Sequence, residues 1–414
     1  MRIVLYVHHA LFEPALSMVD ALSSEAEVHV ILEVPAGTSQ IASFEATARS
    51  LPSGLVAADE ILAPFYPETV RAMWRKAASF HLVSLGRRNR DRLLALSATL
   101  RLLRWIRDLD ADLLHVDDVD VSPRLALALA IGGAPCPTLM GCHDPDPHSG
   151  ERHWGRKQLA RRLAFARVHA VLVHHEAGRS ALRRRHPRLR RPIHLVRLAT
   201  YALLRHLHVP QAPDGAAKDL TGHSGRSSAH PTVLLFGRIT PYKGVELLFQ
   251  AAPAIARAVP GVRFVVAGRP ITGYRPPDPP QLDNGGSIDT HYDYVPSARI
   301  ADLFGEADIV VCPYTDASQS GVVLTSYAFG CPVVATDVGG LPEYVSHGAT
   351  GLVVPVDDVD ALATAVISCL EDAELNSRLR AGVAAANDAD LSWRRVGREL
   401  LEVYAEVART TPSS

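Results

Sequence analysis

The sequence lacks any paired cysteine motif. Its five cysteines, at positions 136, 142, 312, 331 and 369, are scattered singly, and no CxxC spacing occurs among them. A disulfide framework needs paired cysteines, and a structural zinc site needs ligands at short, repeated spacings. The sequence therefore predicts neither, and we interpret the thiols as small core residues of a protein from a reducing compartment.

No uninterrupted apolar run is long enough to predict a transmembrane helix. One long stretch without a charged residue, 125–142, is broken in its middle by the turn-forming segment 132–137. Helix, turn and strand is therefore the better interpretation. The chain opens on a short apolar run, residues 1–7, which is typical of a buried strand and has no signal-peptide layout. A cytoplasmic location is expected.

Two further motifs are missing. No G-x-G-x-x-G follows the first predicted strand of either half, which argues against a dinucleotide-dependent oxidoreductase. Residues 1–205 carry 28 Lys and Arg against 20 Asp and Glu, whereas the rest of the chain carries 15 against 24. No recognised nucleic-acid-binding module accompanies this basic half, so we expect no nucleic-acid partner. The basic half could face an anionic substrate or membrane, or its arginine-rich helices could simply be well solvated.

What the sequence does contain is a repeated alternation of short β-rich runs and longer helical patterns. A chain of 414 residues predicts two domains. In the first half, predicted strands span residues 2–7, 27–32, 113–115, 138–140, 170–173 and 193–196, with helices at 15–23, 91–108 and 156–167. In the second half, predicted strands span residues 232–236, 263–267, 309–312, 332–336 and 351–354, with helices at 245–258, 298–304, 322–329 and 359–369. The alternation predicts two doubly wound, mostly parallel α/β sheets.

The chain is expected to divide at a polar segment rich in Pro, Gly and Ser, residues 206–230, which is typical of a linker or long surface loop. We predict an N-terminal domain over 1–205 and a C-terminal domain over 231–385. In the tail, 386–414, an amphipathic helix follows Ser392 and Trp393, and no strand comes after it. Such a helix must dock on a structure already built, and we expect it to pack back on the N-terminal domain.

The strongest functional cluster comes directly after the predicted strand 232–236. Gly237 allows close backbone approach, and Arg238 and Lys243 follow it before the next helix begins. Arg offers a planar fork of donors to phosphate oxygens, Lys offers a mobile point charge, and a helix N-terminus adds positive potential. Together they predict a diphosphate site, although in an isolated segment of this kind both cations would more often face solvent.

Two further glycine-rich turns follow strands of the same domain. Ser320 and Gly321 lie where the helix 322–329 would present unpaired N–H groups, which favours anion binding. The alternative is an ordinary Ser N-cap. A third turn, 337–343, follows the next strand and ends at Glu343. Because ligands of open α/β sheets bind beyond the carboxyl ends of the strands, the three turns indicate a single binding region.

These segments resemble a known family. The block 237–244, joined to 321–343 and 351–355, closely resembles the donor-binding domain of family-4 retaining glycosyltransferases (group 1) of the GT-B fold. The segment 292–308 is similar to the family's base-binding loop and the helix that follows it. The resemblance covers about residues 232–405 and is weaker in the first half. It implies two Rossmann-like doubly wound domains facing each other across a cleft, the first serving the acceptor and the second the nucleotide sugar.

The resemblance also implies roles for individual residues. Arg238 and Lys243 would neutralise the donor diphosphate and stabilise it as a leaving group, since negative charge develops there as the sugar departs. Backbone groups of the turn at residue 320 would hold phosphate and sugar, and the loop at residue 294 would clasp the base. The positions assigned to donor binding are Gly237, Ser320, Gly321, Thr325, Tyr294, Val295 and Glu343.

The sequence departs from the family in two places. Many members carry two glutamates eight residues apart, one on the donor sugar and one on the ribose, but here the corresponding positions are Ala317 and Thr325. This variant would leave sugar recognition to backbone groups and neighbouring side chains, with Thr325 reaching the ribose. Members also often have a Gly-Gly loop after the first strand, where this chain has residues 8–11, His-His-Ala-Leu. That difference leaves the acceptor-side geometry open.

A histidine-containing loop in the first half completes the resemblance. His143 falls where members place a histidine beside the transferred sugar; the alternative is a turn histidine satisfied by its Asp neighbours. Asp144, His148 and Glu151 match no standard metal-ligand spacing, and the resemblance implies neither a metal nor another cofactor. The acidic segment 117–120 is interpreted as a solvated loop, with acceptor contact as the alternative.

The sequence thus predicts a glycosyltransferase that moves a sugar from a nucleotide-diphosphate sugar to an acceptor hydroxyl, with retention of anomeric configuration. The alternative is a nucleotide-sugar-binding protein without transferase activity, which the missing glutamates suggest. The basic stretches 71–107 and 179–191 carry apolar residues at helical spacing. They could contact an anionic membrane peripherally, or they could pack an apolar stripe on the core. The donor base, the acceptor and the oligomeric state stay open.

Overall fold

The computed structural model describes residues 1–34, 54–84, 91–117, 123–146, 154–206 and 230–409, apart from the side chains of 91–95, 123, 154, 156 and 157. The described residues form two compact units. The first contains those up to residue 198 together with 393–409, and the second contains those from 199 to 392.

The first unit is built on a sheet of eight strands. They are β1 (Arg2–His8), β2 (Glu27–Val34), β3 (Gly54–Ala57), β4 (Ser79–Ser84), β5 (Leu113–Val116), β6 (Thr138–Gly141), β7 (Ala170–Val173) and β8 (Ile193–Leu195). Their order is β3-β4-β2-β1-β5-β6-β7-β8, and every pairing is parallel except that of β3 with β4. Strands β5, β6 and β7 are buried at every position, as expected for a parallel sheet covered by helices.

Seven helices belong to the chain between these strands: α1 (Phe12–Leu22), α2 (Asp59–Leu62), α3 (Glu68–Trp74), α4 (Asp91–Asp108), α5 (Pro123–Gly132), α6 (Trp154–Phe165) and α7 (Glu176–Arg185). The core on one side of the sheet joins α4, α5 and α6 to the strands through side chains such as Leu103, Ile106, Leu129, Ala164 and Val171. This packing fixes the carboxyl ends of β5, β6 and β7 side by side.

The second unit contains a six-stranded, wholly parallel sheet. After the short α8 (Leu203–His206) come β9 (Thr232–Phe236), β10 (Arg263–Ala267), β11 (Ser287–His291), β12 (Ile309–Cys312), β13 (Val333–Thr336) and β14 (Gly351–Val354), in the spatial order β11-β10-β9-β12-β13-β14. The helices are α9 (Val245–Ala258), α10 (Ser297–Glu306), α11 (Gly321–Ala328), α12 (Leu341–Tyr344), α13 (Val359–Glu371) and α14 (Ala373–Asp388). Strand β9 is central, so the turn that follows it lies at the middle of the carboxyl edge.

The terminal helix α15 (Trp393–Arg409) packs on α1 in the first unit. Its apolar stripe is buried, and a Cβ at Gly397 would lie only 3.0 Å from the Cβ of Ala21. Glycine is therefore what lets the two helices approach. Tyr404 on the same helix is fully buried, and its hydroxyl lies 2.7 Å from Nδ1 of His115 on β5.

The structure confirms the predicted strands and helices of both halves to within three residues at each end. It adds three strands that the sequence did not indicate. Two of these, β3 and β11, lie at sheet edges, and β11 reads Ser-Ile-Asp-Thr-His, which has no apolar run. The third, β4, interrupts the basic stretch 71–107, so the prediction of helical spacing throughout that stretch is wrong.

The chain passes into the second unit earlier than residue 205. Residues 199–206 pack there, with the amide of Thr200 donating to the carbonyl of Leu391 at 3.1 Å. Of the predicted linker 206–230, residues 207–229 lie outside the described residues. Among the helices that the structure describes, none combines the length and apolar character needed to cross a bilayer.

Candidate functional site

The turn after β9 brings the backbone of Gly237 close to the ammonium group of Lys243. Gly237 has a φ of 108°, and a Cβ there would lie 3.3 Å from Val322 on α11 and 3.8 Å from Nζ of Lys243. Gly268, after β10, has a φ of 144°, and a Cβ on it would lie 1.9 Å from the carbonyl oxygen of Gly237. These glycines therefore allow the carboxyl ends of β9 and β10 to meet the helix α11 closely.

Lys243 is held in place by a neutral partner. Its side chain is buried, and Nζ donates to the hydroxyl of Tyr314 at 2.5 Å. Burial lowers the pKa of Lys243 to about 8, and the charge of the neighbouring Arg238 adds to the lowering. A buried ammonium normally pairs with a carboxylate. Within the described residues no carboxylate lies within ion-pair distance of Lys243, so its charge is available for an anionic ligand.

Arg238 lies at the solvent-facing side of the same turn. Its side chain is exposed, and in the part of the chain that the structure describes it forms no ion pair. Two cations that repel each other electrostatically thus lie beyond the carboxyl end of the central strand. A diphosphate in contact with both would remove that repulsion. The spacing between Arg238 and Lys243 in the sequence predicted this pair, and the structure brings them together.

The second turn joins the same cluster through Tyr314. Ser320 is the residue before α11, but its side chain makes no capping hydrogen bond; its Oγ instead lies 3.2 Å from the hydroxyl of Tyr314. The alternative of an ordinary Ser N-cap is therefore wrong. A Cβ at Gly321 would lie 2.9 Å from the ring of Tyr201. Tyr314 links Lys243 to Ser320 but was not predicted to have a role; its position two residues after the end of β12 was the available signal.

The third turn packs against the second. Gly339 has a φ of 57°, and a Cβ there would lie 1.6 Å from the carbonyl oxygen of Ala317. The amide of Gly340 donates to the carbonyl of Ser318 at 2.9 Å. Glu343 follows in the first turn of α12 and is partly buried. The turns after β12 and β13 therefore form one surface, and Glu343 lies beside it.

The remaining predicted donor residues are placed less centrally. Thr325 is buried one helical turn beyond Gly321 on α11. Tyr294 and Val295 are partly buried in the segment between β11 and α10. The guanidinium of Arg269 lies 6.0 Å from the ring centroid of Tyr294. The assignments of Thr325, Tyr294 and Val295 to the donor stay predictions.

A second cluster lies in the first unit, beyond the carboxyl ends of β5 and β6. Nε2 of His143 lies 3.2 Å from Oδ1 of Asp117, and both side chains are buried. The interpretation of Asp117 as part of a solvated loop is therefore wrong; it was judged on its acidic neighbours, whereas its position at the end of a central strand buries it. Asp118 and Asp120 lie outside the described residues.

Asp117 is surrounded by three histidines. His115 lies on β5, and His174 follows β7 and is 2.9 Å from the carbonyl oxygen of Val196 through its Nδ1. Burial lowers the pKa of His115 to about 4 and that of His174 to about 3. Burial alone would raise the pKa of Asp117, but the histidines, His143 foremost, lower it to about 2. At neutral pH the cluster thus contains one carboxylate, and His115 and His174 are uncharged.

Metal ligation is geometrically open to part of this cluster. Asp117, His143 and His174 each offer a ligand atom, and these atoms lie within 4.8 Å of one another. Among the described residues they are the only such group. Of the acidic and histidine residues that the sequence analysis considered for a metal, His148 and Glu151 lie outside the described residues.

The loop after β1 also buries histidines. His8 and His9 are both buried, and their ring centroids are 4.1 Å apart. Nδ1 of His8 accepts a hydrogen bond from the amide of Ala10 at 3.2 Å, which closes a short 3₁₀ turn over residues 9–11. Burial lowers the pKa of His8 to about 3 and of His9 to about 4. An uncharged, side-chain-filled turn replaces the glycine loop that the resemblance implied.

Two family descriptions match the chain. Residues 230–372 match the family described as "Glycosyl transferases group 1", and residues 46–198 match "Glycosyltransferase Family 4". The first covers the cluster at Lys243, and the second covers Asp117 and His143.

Relatives with assigned names give the same classification. The D-inositol 3-phosphate glycosyltransferase of Mycolicibacterium paratuberculosis is 35% identical over 182 residues, 43% of this chain and 40% of that protein. The phosphatidyl-myo-inositol mannosyltransferase of Mycobacterium tuberculosis is 31% identical over 213 residues, 48% of this chain and 54% of that protein. The chain thus matches about half or less of the length of these relatives.

Solved structures extend the similarity to both units. HepE of Anabaena in complex with UDP superposes with a TM-score of 0.64 at 17% identity, covering 98% of this chain and 100% of that one. Sucrose-phosphate synthase of Thermosynechococcus elongatus gives 0.65 at 16% identity, with 99% and 100% covered. At such identities the likeness shows the fold, which is that of the GT-B glycosyltransferases. The two family matches, one in each unit, together with this fold support a group 1 glycosyltransferase.

Proposed function

We propose that this protein transfers a sugar from a nucleotide-diphosphate sugar to an acceptor hydroxyl, with retention of anomeric configuration. The observation that carries the proposal is the pair formed by Arg238 and Lys243. One is exposed and the other buried on a neutral phenol, and the described residues place no carboxylate against either. The pair lies beyond the carboxyl end of a central parallel strand, which is where ligands of such sheets bind.

The proposed reaction needs the charge that this pair supplies. The bond between the sugar's anomeric carbon and the β-phosphate oxygen breaks, and the phosphate oxygen takes the electron pair. The acceptor oxygen forms its bond to the same carbon on the same face, and its proton passes to the departing phosphate. Lys243 is held by Tyr314 before the reaction, and with Arg238 it would stabilise the developing phosphate charge. Amide groups at the start of α11 are proposed to hold the phosphate and sugar, and the segment at Tyr294 the base.

The first unit is proposed to serve the acceptor. His143 is assigned contact with the transferred sugar, and Asp117 is a positioning residue that fixes the orientation and proton of its ring. The names of the mycobacterial relatives make inositol 3-phosphate and phosphatidylinositol the first acceptors to assay. Peripheral contact with an anionic membrane is proposed for the same unit.

Neither a metal nor donor binding without transfer is part of the proposed function. No metal is assigned to it, because Arg238 and Lys243 are proposed to contact the phosphate; activity that survives EDTA would support this. Binding of a nucleotide sugar without transfer is not favoured, since the named relatives are transferases. The absence of both family glutamates, at Ala317 and Thr325, leaves donor-sugar recognition to the backbone turns and their neighbours.

The test is calorimetric titration of the full chain with UDP, GDP and dTDP. We expect saturable binding of one nucleotide to the wild type, and its loss in an Arg238→Ala, Lys243→Ala double variant. Arg257→Ala, which removes an exposed cation at the end of α9 in the same unit, is the matched control. The nucleotide identified names the sugar donors to assay. Proton NMR of the product then reports the anomeric configuration, and an inverted product would refute retention.

A further inference from the structure

A basic groove lies on the first unit, away from the cluster at Asp117. It has a volume of about 930 Å³ and is formed by the last turns of α6 and α7 and by the segment that leads into β8. Helices in a parallel α/β sheet run back from the carboxyl to the amino ends of the strands. The ends of α6 and α7 therefore lie near the amino ends of β7 and β8, whereas His143 and Asp117 lie beyond the carboxyl ends.

The lining of the groove is strongly cationic. Among the described residues that line it there is no carboxylate, and six are arginines: Arg162, Arg184, Arg185, Arg188, Arg190 and Arg191. Two of them share one carboxylate, since Arg184 and Arg185 lie 3.1 and 2.7 Å from Asp146. For the other four, no ion pair exists within the described part of the chain. Like charges gathered in a concave surface raise the local potential and attract anions.

Two histidines report this positive potential. His186 is buried in the groove, and its pKa is lowered by burial and then by the charges of Arg161 and Arg162. His169, close by, has a pKa lowered by burial and by Arg191. Neither shift includes a compensating carboxylate. Arginines at the C-terminus of α7 are partly explained by the helix dipole, but Arg188, Arg190 and Arg191 lie beyond the helix and Arg162 lies on another.

The floor of the groove is not charged. It is formed by Phe165 and by His186, whose rings meet edge to face at 5.1 Å, with Pro187 and Leu189 beside them. The lining thus combines apolar residues with several guanidinium groups. Each fork can then bind a separate phosphate group through two N–H donors.

We propose that this groove is a second anion site, which binds ligands that carry two or more clustered phosphate groups. It is distinct from the nucleotide-sugar site of the second unit. The phosphates could belong to a free polyphosphorylated small molecule or to the headgroup of an anionic phospholipid, and the chemistry of recognition is the same for both.

The test uses the full chain with Arg238→Ala and Lys243→Ala, so that the donor site does not contribute. Inorganic tripolyphosphate is titrated into this protein by calorimetry. We expect one saturable site, and binding at least about tenfold weaker for orthophosphate, which engages fewer forks. In the same background, Arg188→Gln, Arg190→Gln and Arg191→Gln together should weaken tripolyphosphate binding by at least about tenfold.

The matched control neutralises three exposed arginines of α4, in the same unit, that do not line the groove: Arg101→Gln, Arg104→Gln and Arg107→Gln. It should leave tripolyphosphate binding within about twofold, because distant surface charges are screened by salt. Melting curves of both triple variants check folding, and the exposed positions make a loss of fold unexpected. An equal loss of binding in both would overturn the proposal, since it would show attraction by net charge alone.

A flotation assay separates the two sources of phosphate. Vesicles of phosphatidylcholine are compared with vesicles that also contain phosphatidylinositol 4-phosphate. If the vesicles with phosphatidylinositol 4-phosphate retain the control variant but not the groove variant, the site binds a lipid headgroup. Binding of tripolyphosphate without vesicle retention assigns it to a soluble ligand. If neither probe distinguishes the groove variant from the control, the proposal is refuted.

Discussion

Oδ1 of Asp117 lies 3.2 Å from Nε2 of His143, with both side chains buried at the ends of adjacent parallel strands. The carboxylate can hold the ring in one orientation and stabilise a proton on the nitrogen that faces it. It thereby sets which nitrogen His143 presents to a ligand. The pair depends on sheet order, because the residues are 26 positions apart in sequence.

Asp117→Asn tests this role. Asparagine preserves the shape of the side chain but not its charge, so we expect kcat to fall by about tenfold or more. The affinity for the donor nucleotide should stay unchanged, because that site belongs to the second unit. The pH profile of kcat should also shift, which a merely structural defect would not cause. Asp108→Asn, at an exposed end of α4, is the control. Equal kcat in the two variants would contradict the assignment.

The affinity for nucleotide should fall as the solution becomes alkaline. Burial and Arg238 lower the pKa of Lys243 to about 8, so the free protein loses this charge as the pH rises through that value. A diphosphate binds the protonated form, and its affinity should fall by up to about tenfold per pH unit above 8. Calorimetry at pH 7, 8 and 9 measures the decline. Lys243→Arg, which stays protonated, should remove the pH dependence if it still binds.

Tyr314 should contribute to donor binding although it carries no charge. Its hydroxyl receives the Lys243 hydrogen bond at 2.5 Å and lies 3.2 Å from Oγ of Ser320. Tyr314→Phe removes both contacts and leaves the ring packed, so we expect nucleotide affinity to weaken by about fivefold. Tyr327→Phe, which breaks a 2.7 Å bond to Thr350 in the same unit, is the control for loss of a buried hydroxyl. A comparable loss of affinity in that variant would point to general destabilisation.

Gly244 should tolerate no side chain. It has a φ of 71°, and a Cβ there would lie 1.9 Å from the carbonyl oxygen of Pro313. Gly348 has a similar φ of 75° but no atom within 4 Å of such a Cβ. Gly348→Ala should therefore cost only the backbone strain, about 1–2 kcal/mol, whereas Gly244→Ala should cost more than about 3 kcal/mol and displace Lys243. Urea unfolding of the two variants gives the comparison, and equal costs would show that the close approach relaxes freely.

The first unit should lose stability in mild acid. The pKa of His115 is lowered to about 4 in the folded protein, mainly by burial, whereas an unfolded histidine titrates near 6.5. The unfolded state therefore binds more protons between these values, and stability falls as the pH decreases from 6.5 towards 4. His115 alone accounts for up to about 1.4 kcal/mol per pH unit.

His115→Gln isolates that contribution. The variant should show a shallower decline of melting temperature between pH 7 and pH 5 than the wild type, whatever its absolute stability. His291→Gln, at an exposed position of the second unit, should leave the slope unchanged. A wild-type slope in the His115 variant would mean that the other buried histidines, or acid unfolding elsewhere, determine it.

The sequence by itself determined the two α/β sheets and one half of the candidate donor site. Strand 232–236, Gly237, Arg238 and Lys243 are contiguous, so a single strand, turn and helix positions them, and local pattern is enough to predict them. Edge strands such as β11 were not predicted, because they bury few side chains and carry no apolar run. The acidic neighbours of Asp117 wrongly predicted an exposed side chain. Asp117 is buried because it lies at the end of a central strand.

Only the tertiary structure decided which distant residues complete each cluster. Tyr314 meets Lys243 across 71 residues, and Tyr404 meets His115 across 289. Such pairs depend on the order of strands in a sheet and on where the terminal helix packs, and neither is encoded in a local window. The basic groove has the same origin. Its arginines come from two helices and a connecting segment, and only the fold brings them to one groove.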